Sequence, residues 1–429
     1  MKHTVTKVKL DNGTEGLFID VPGATVMDYE FNFRAGEYLV SREKWEVPHL
    51  CEHVLLGANQ KYPKARIFQA EFEKNGAYSN AHTSTYHITY ESECADFEWE
   101  RILELTLAAI SKPLFLRDEF KAEFGNVRDE RAARSNNHFL HLHAVTRESY
   151  GLLAMTDKEC LKQMKNVKLK DLIEHYQKTH TSSNMRFIVA GNLHGRREAI
   201  KRMIEKIDLP KGRRHLDLPS EKPHAIDKPV FVSRPSVNTL HFYLDAFALT
   251  RFDDTDWDAL GLVNSMLTAT LNSRILGEAR ERGLVYSMSS SLDTTHDSSV
   301  WWFGAQVIPK NAKPLFEIIV REIQRVRAGD ISEEDLESAK QYLLGRYQRS
   351  GQTVGGVMSG YSGRYYFDEV IDDYDAIPDR IKAVTKKRIV EASERMFSDK
   401  IGGLGMLGDG KSRALVEPLN DIIQPLWNS

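Results

Sequence analysis

Residues 208–231 read DLPKGRRHLDLPSEKPHAIDKPVF, with prolines at 210, 219, 223 and 229, a glycine at 212 and clustered charge. Prolines at this spacing suit neither a helix nor a central strand, because each removes a backbone donor and fixes φ. The stretch reads as a linker, 209–230, near the midpoint of a 429-residue chain. On either side of it the same order of elements recurs. Each half opens on an alternating strand, ATVMDYEFNFRAGE (24–37) and NTLHFYLDAFALT (238–250). A helix follows, VPHLCEHVLLGA (47–58) and DALGLVNSMLTATLNSRIL (258–276). Next comes a turn and a β-rich run, NGAYSNAHTSTYHITYES (75–92) and RGLVYSMSSSLDTTHDSSVWWFGAQV (282–307). An apolar helix and a charged helix come after it, and an apolar strand ends each half, MRFIVAGNL (185–193) and IGGLGMLGDG (401–410). The pattern is duplicated while residue identity is low. Strands and helices mix without regular βαβ alternation, which predicts an α+β fold. The expectation is two similar α/β sandwich halves related by internal duplication, each a mostly antiparallel sheet with helices on one face. Their bounds are 1–208 and 231–429.

Composition narrows the function. The chain holds 58 basic and 61 acidic residues, a formal net charge of -3, so it lacks the basic excess of a nucleic-acid or anionic-membrane binder. No apolar run approaches the ~20 residues of a membrane-spanning helix. The N-terminal segment reads as a strand, an Asn12-Gly13 turn and a second strand, not as an export signal. Three widely spaced cysteines, Cys51, Cys94 and Cys160, argue against a disulfide framework and point to a reducing cytoplasm.

Chemistry concentrates in EVPHLCEHVLLGA, residues 46–58. Pro48 suits the first turn of a helix, where no N–H is needed. A helix starting there sets His49 and His53 one turn apart on one face, able to meet a single cation. Glu52 leans over the same face, offset enough to serve the water that such an ion activates. The pattern His-x-x-Glu-His is the inverted zincin motif. Cys51 turns away from both histidines, into the core. A catalytic zinc usually takes three protein ligands. The segment RDEFKAEFGNVRDERAARS (117–135) offers Glu123 and Glu130, nearly two helical turns apart and so on one face. One carboxylate of the two would bind the ion and the other would accept from a ligand histidine.

HLCEH, followed 77 residues after His53 by Glu130 with Glu123 seven before it, resembles the pitrilysin/insulinase-type inverzincin peptidases, which include mitochondrial and bacterial processing peptidases. NGAYSNAHTSTYHITY resembles that family's edge strand, and SRILGEARERGLVYSMSS its second-half arginine and tyrosine segment. The resemblance covers essentially the whole chain. It implies Zn²⁺ held by His49, His53 and Glu130, with Glu52 as general base and Glu123 behind a ligand histidine. It implies Asn80 and Ala81 as the strand to which an extended peptide adds, with Thr83 at a further matching position. Tyr286 matches the tyrosine that stabilises the oxyanion or grips the substrate. Arg280 is its partner at six residues instead of the usual seven, so Arg282 and Arg274 stay open as alternatives. The implied activity is that of a zinc endopeptidase cleaving peptides or unfolded segments in a closed chamber. Because chains of this length supply half a chamber, a homodimer is expected, with a heterodimer or a non-catalytic structural subunit as alternatives. His138, His141 and His143 in HFLHLHAV are spaced as alternate strand residues would be and are expected near a cavity or exposed. The small residues of GQTVGGVMSGYSGRYYF (351–367) are expected to allow close helix packing.

Overall fold

The computed structural model describes residues 1–427, which form two compact units. The first is built on a six-stranded sheet: β1 (Thr4–Lys9), β2 (Glu15–Asp20), β3 (Val26–Phe33), β4 (Tyr78–Thr83), β5 (Ile88–Ala95) and β6 (Met185–Gly191). Their spatial order is β1-β2-β6-β3-β5-β4, so β4 is an edge strand. The β1–β2 hairpin turns through Gly13 at φ +88°, a conformation that glycine adopts without strain. Strand β3 shows why the sheet has a core side: Met27, Tyr29, Phe31 and Phe33 alternate with polar residues and are fully buried beneath the helices.

The second unit carries β7 (Val230–Ser233), β8 (Leu240–Ala248), β9 (Met288–Thr294), β10 (Ser299–Val307) and β11 (Ile401–Gly408), ordered β7-β11-β8-β10-β9. The run β11-β8-β10-β9 repeats β6-β3-β5-β4, strand for strand, as the duplicated pattern requires. All pairings are antiparallel except β2–β6 and β7–β11. Trp301 is 1% exposed in the core, and Trp302, on the opposite face of β10, sets its ring 5.3 Å from that of Tyr243.

The α+β halves stand as expected, with one addition. Residues 134–157 belong to the second unit, and residues 349–374 to the first, so the chain crosses between units at more places than the linker. The helix His138–Ser149 packs on β8 and β11, and the helix Val354–Asp368 packs on β3 and β6. Each sheet therefore carries a helix on its second face as well. The glycine-rich helix lies close to its surroundings as expected, for a Cβ at Gly360 would meet the Tyr374 ring at 2.3 Å. The HFLHLHAV segment is helical, not a strand. Asn137 caps it, accepting from Phe139 N and Leu140 N, which outweighs the local two-residue alternation. His138 packs against His241, His141 accepts from Arg234, and His143 lies against Tyr243.

The glycine-rich helix covers an unusual surface. Asp28 lies directly opposite Glu93, and Glu30 opposite Glu91, an arrangement of like charges that destabilises a sheet when all are ionised. Asp28 is 4% exposed. Burial first, then the charges of Glu93, Glu30 and Glu91, push its carboxyl up to about 7. Burial also pushes Glu30 up to about 7, with a Tyr366 hydrogen bond opposing and Glu91 adding. The folded state thus holds these protons more tightly than the unfolded chain, in which carboxyls titrate near ~4. Their contribution is full below about pH 4 and is lost as pH rises to about 7. The double variant Asp28→Asn/Glu30→Gln is expected to be more stable than the parent by several kcal/mol at pH 8 and nearly equal to it at pH 4. Urea unfolding at both pH values reads the difference; a gap independent of pH would remove these two carboxyls as its source.

Candidate metal centre

Two helices of the first unit position the site. The shorter, Val47–Leu55, has Pro48 in its first turn and buries Val47, Leu50, Cys51, Val54 and Leu55 against the core. That burial leaves His49, Glu52 and His53 on one flank. The longer helix, Arg117–Arg134, is polar almost all round, with Val127 its one fully buried residue. Phe120 and Phe124 pack partly against the core beside it.

The histidines face Glu130 from the long helix. Its Oε2 lies 3.3 Å from His49 Nε2 and 3.7 Å from His53 Nε2. The ligating atoms of His49, His53 and Glu130 all fall within 4.8 Å of one another, the only such histidine, cysteine and carboxylate group among the described residues. Each ring's other nitrogen is taken by a carboxylate: His49 Nδ1 lies 3.0 Å from Glu46 Oε2, and His53 Nδ1 lies 3.0 Å from Glu123 Oε2. Donation from Nδ1–H leaves the Nε2 lone pairs directed at the common point, the tautomer that a metal site needs. The donor set, two imidazoles and one carboxylate, matches that of a catalytic zinc. The residues present fit the ion.

Electrostatics follow from the same contacts. Burial pulls the His49 imidazole down, but hydrogen bonds with Glu130 and Glu46 overcome it and hold the group at about 9. A cation must therefore displace a proton to bind there. The His53 hydrogen bond holds the Glu123 carboxyl below its usual range, and the His49 hydrogen bond does the same for Glu130.

Glu52 is 6% exposed, beside the two histidines on its helix, and its Oε2 accepts from Thr83 Oγ1 at 2.8 Å. That bond ties it to β4, the edge strand. Asn80 and Ala81 lie on the same strand; Asn80 Nδ2 donates to Glu91 at 3.2 Å, and Ala81 is buried. Cys51 is fully buried, away from the ligand flank.

Arg280 and Tyr286 lie in the second unit. The Arg280 guanidinium stacks 5.0 Å from the Tyr286 ring centroid and donates to the Tyr286 carbonyl. Arg282 is paired with Glu278, and Arg274 with Asp335, so Arg280 is the arginine that touches this tyrosine. Tyr286 is 84% exposed and borders a cavity of about 490 Å³ that also reaches Gln306 and Asn311.

Glu46 escaped the sequence reading, and with it Arg131. Glu46 is fully buried and accepts from Arg131 Nε at 3.0 Å as well as from His49. The available signals were its place three residues before His49, one helical turn, and an arginine following Glu130 directly.

Residues 42–156, which contain every group around the proposed ion, match the family described as Insulinase (Peptidase family M16). Residues 166–343 match the Peptidase M16 inactive domain. An uncharacterized zinc protease of Mycobacterium leprae is 25% identical over 69% of this chain and 68% of its own length. The A-factor-processing enzyme of Saccharomyces cerevisiae is 25% identical over 30% of this chain and 13% of its own. The chain spans a fifth or less of the first yeast relatives it matches. Among solved structures, a protease from Helicobacter pylori shares the fold with a TM-score of 0.83, covering 95% of this chain and 100% of that one at 18% identity.

Proposed function

Because the chain belongs to the insulinase-type M16 peptidase family, we propose that it is a zinc-dependent endopeptidase acting on peptides or unfolded segments. The observation that carries this reading is the convergence of His49, His53 and Glu130 within 4.8 Å, with Glu52 on the same helix flank. A bound zinc ion supplies the Lewis acidity that makes water a nucleophile near neutral pH. His49, His53 and Glu130 would hold that ion, and Glu46 and Glu123 accept from the Nδ1–H groups and keep the rings correctly turned. Glu52 takes the proton from the attacking water and returns it to the leaving amine. Thr83 fixes the Glu52 carboxylate toward β4. Strand β4 pairs with β5 alone, so its outer edge accepts an extended peptide by strand addition at Asn80 and Ala81. Backbone pairing of this kind tolerates many sequences. Tyr286, oriented by Arg280, serves substrate or oxyanion. Since one chain carries both the ligand set and this pair, the working form is a homodimer.

Incubation of the purified chain with a peptide library, with and without chelator, tests the reading by mass spectrometry. Cleavage within peptides that stops with chelator and returns on adding zinc is expected. Absence of chelator-sensitive cleavage would favour a non-catalytic structural subunit. No described helix is long and apolar enough to cross a membrane.

A further inference from the structure

The long helix meets the short one with little apolar surface, so polar bonds must set its register. Four of them form a ladder. The Glu119 carboxylate accepts from Ala58 N at 3.0 Å, just past the short helix. His53 pairs with Glu123, His49 with Glu130, and Glu46 with Arg131. Positions 58, 53, 49 and 46 run down one segment while 119, 123, 130 and 131 run up the other, with Val127 between the rungs on the same buried face. The last rung differs from the rest. Arg131 grips both oxygens of Glu46, Nε to Oε2 and Nη2 to Oε1, each at 3.0 Å. Glu46 has no exposed surface, and the Arg131 side chain is only 11% exposed. A buried pair is expensive in desolvation; here Oε2 accepts from both Arg131 Nε and His49, while Oε1 faces Arg131 Nη2 as an ion-pair contact without a formed hydrogen bond. The pair also stands one residue from Glu130 on one helix and one turn from His49 on the other.

We infer that Glu46 and Arg131 are positioning residues of the metal centre: the pair fixes the ring orientation of His49 and locks the helix register that holds Glu130 over both imidazoles. This inference rests on reading His49, His53 and Glu130 as zinc ligands. Neither residue belongs to the proposed ligand set. Glu46 holds the Nδ1–H of His49, and Arg131 keeps the Glu46 carboxylate from turning away. Glu123 performs the first task for His53, and there an amide, Asn126 Nδ2, donates to the carboxylate at 3.2 Å.

Zinc affinity measured by competition with a chromogenic chelator, together with the absorption spectrum of the cobalt-substituted protein, tests this on the full chain. Glu46→Gln is expected to weaken zinc binding by about 10–100-fold and to shift the cobalt bands. Arg131→Lys, which keeps the charge but not the fork, should fall between that variant and the parent. The double variant Glu46→Gln/Arg131→Met removes both buried charges together. It should unfold in the metal-free state near the parent's temperature while still binding zinc weakly, which separates positioning from loss of fold. Asp129→Asn, on an exposed residue paired with Arg128, serves as the control and should bind like the parent. Parent-like affinity and cobalt bands in Glu46→Gln and in the double variant, with a zinc-loaded parent, would overturn the inference alone. A parent that takes up no zinc would overturn the ligand assignment and this inference with it.

Discussion

Glu52→Gln is expected to retain one zinc ion per chain and to hydrolyse peptides about 10³-fold more slowly, within the usual range for removal of a general base. The amide has the shape of the carboxylate and still accepts from Thr83 Oγ1, so the helix and the β4 contact survive. What disappears is the basic lone pair. Elemental analysis gives the metal content, and a quenched fluorescent peptide gives the rate. Hydrolysis at the parent rate by a fully zinc-loaded variant would remove Glu52 from the base role. Loss of the ion together with activity would give Glu52 a place in holding the metal instead.

The second large effect is expected at Glu130. Glu130→Gln replaces the only carboxylate among the three proposed ligands, and zinc affinity should fall on the order of 10³-fold. Excess zinc should restore part of the activity, because the two imidazoles and Glu52 stay in place. Glu123→Gln sits one step further from the ion and should cost only about 10–100-fold. The ordering of the two variants is the test. A larger loss at Glu123 than at Glu130 would exchange their roles, an outcome that the one-face spacing of the two glutamates leaves open but the 3.3 Å and 3.0 Å contacts do not favour.

The duplicated pattern was legible because strands such as 26–33 and 240–248 alternate strongly, and burial of one face enforces that alternation. The pairing of Glu123 and Glu130 on one face was legible for a similar reason, since helical geometry fixes it whatever surrounds it. Other features depend on tertiary partners that local spacing does not encode. HFLHLHAV alternates over a few positions like a strand, yet the Asn137 cap makes it a helix. The burial of Glu46 depends on Arg131, 85 residues later in the chain, which donates to it. Which of Arg274, Arg280 and Arg282 lies against Tyr286 depends on the fold of the intervening turn, in which Gly283 has φ +64°. The helices that cover the second face of each sheet lie far along the chain from the strands they cover, so no window of sequence contains both.

That last arrangement bears on synthesis. The final strand of the first sheet ends at Gly191, whereas the helix that closes over Asp28 and Glu30 begins at Val354. A ribosome releasing the chain from its N-terminus delivers the whole sheet long before its cover. Until then the growing polypeptide must shield that face by other means, and a transcript truncated at the linker would yield a sheet permanently stripped on one side.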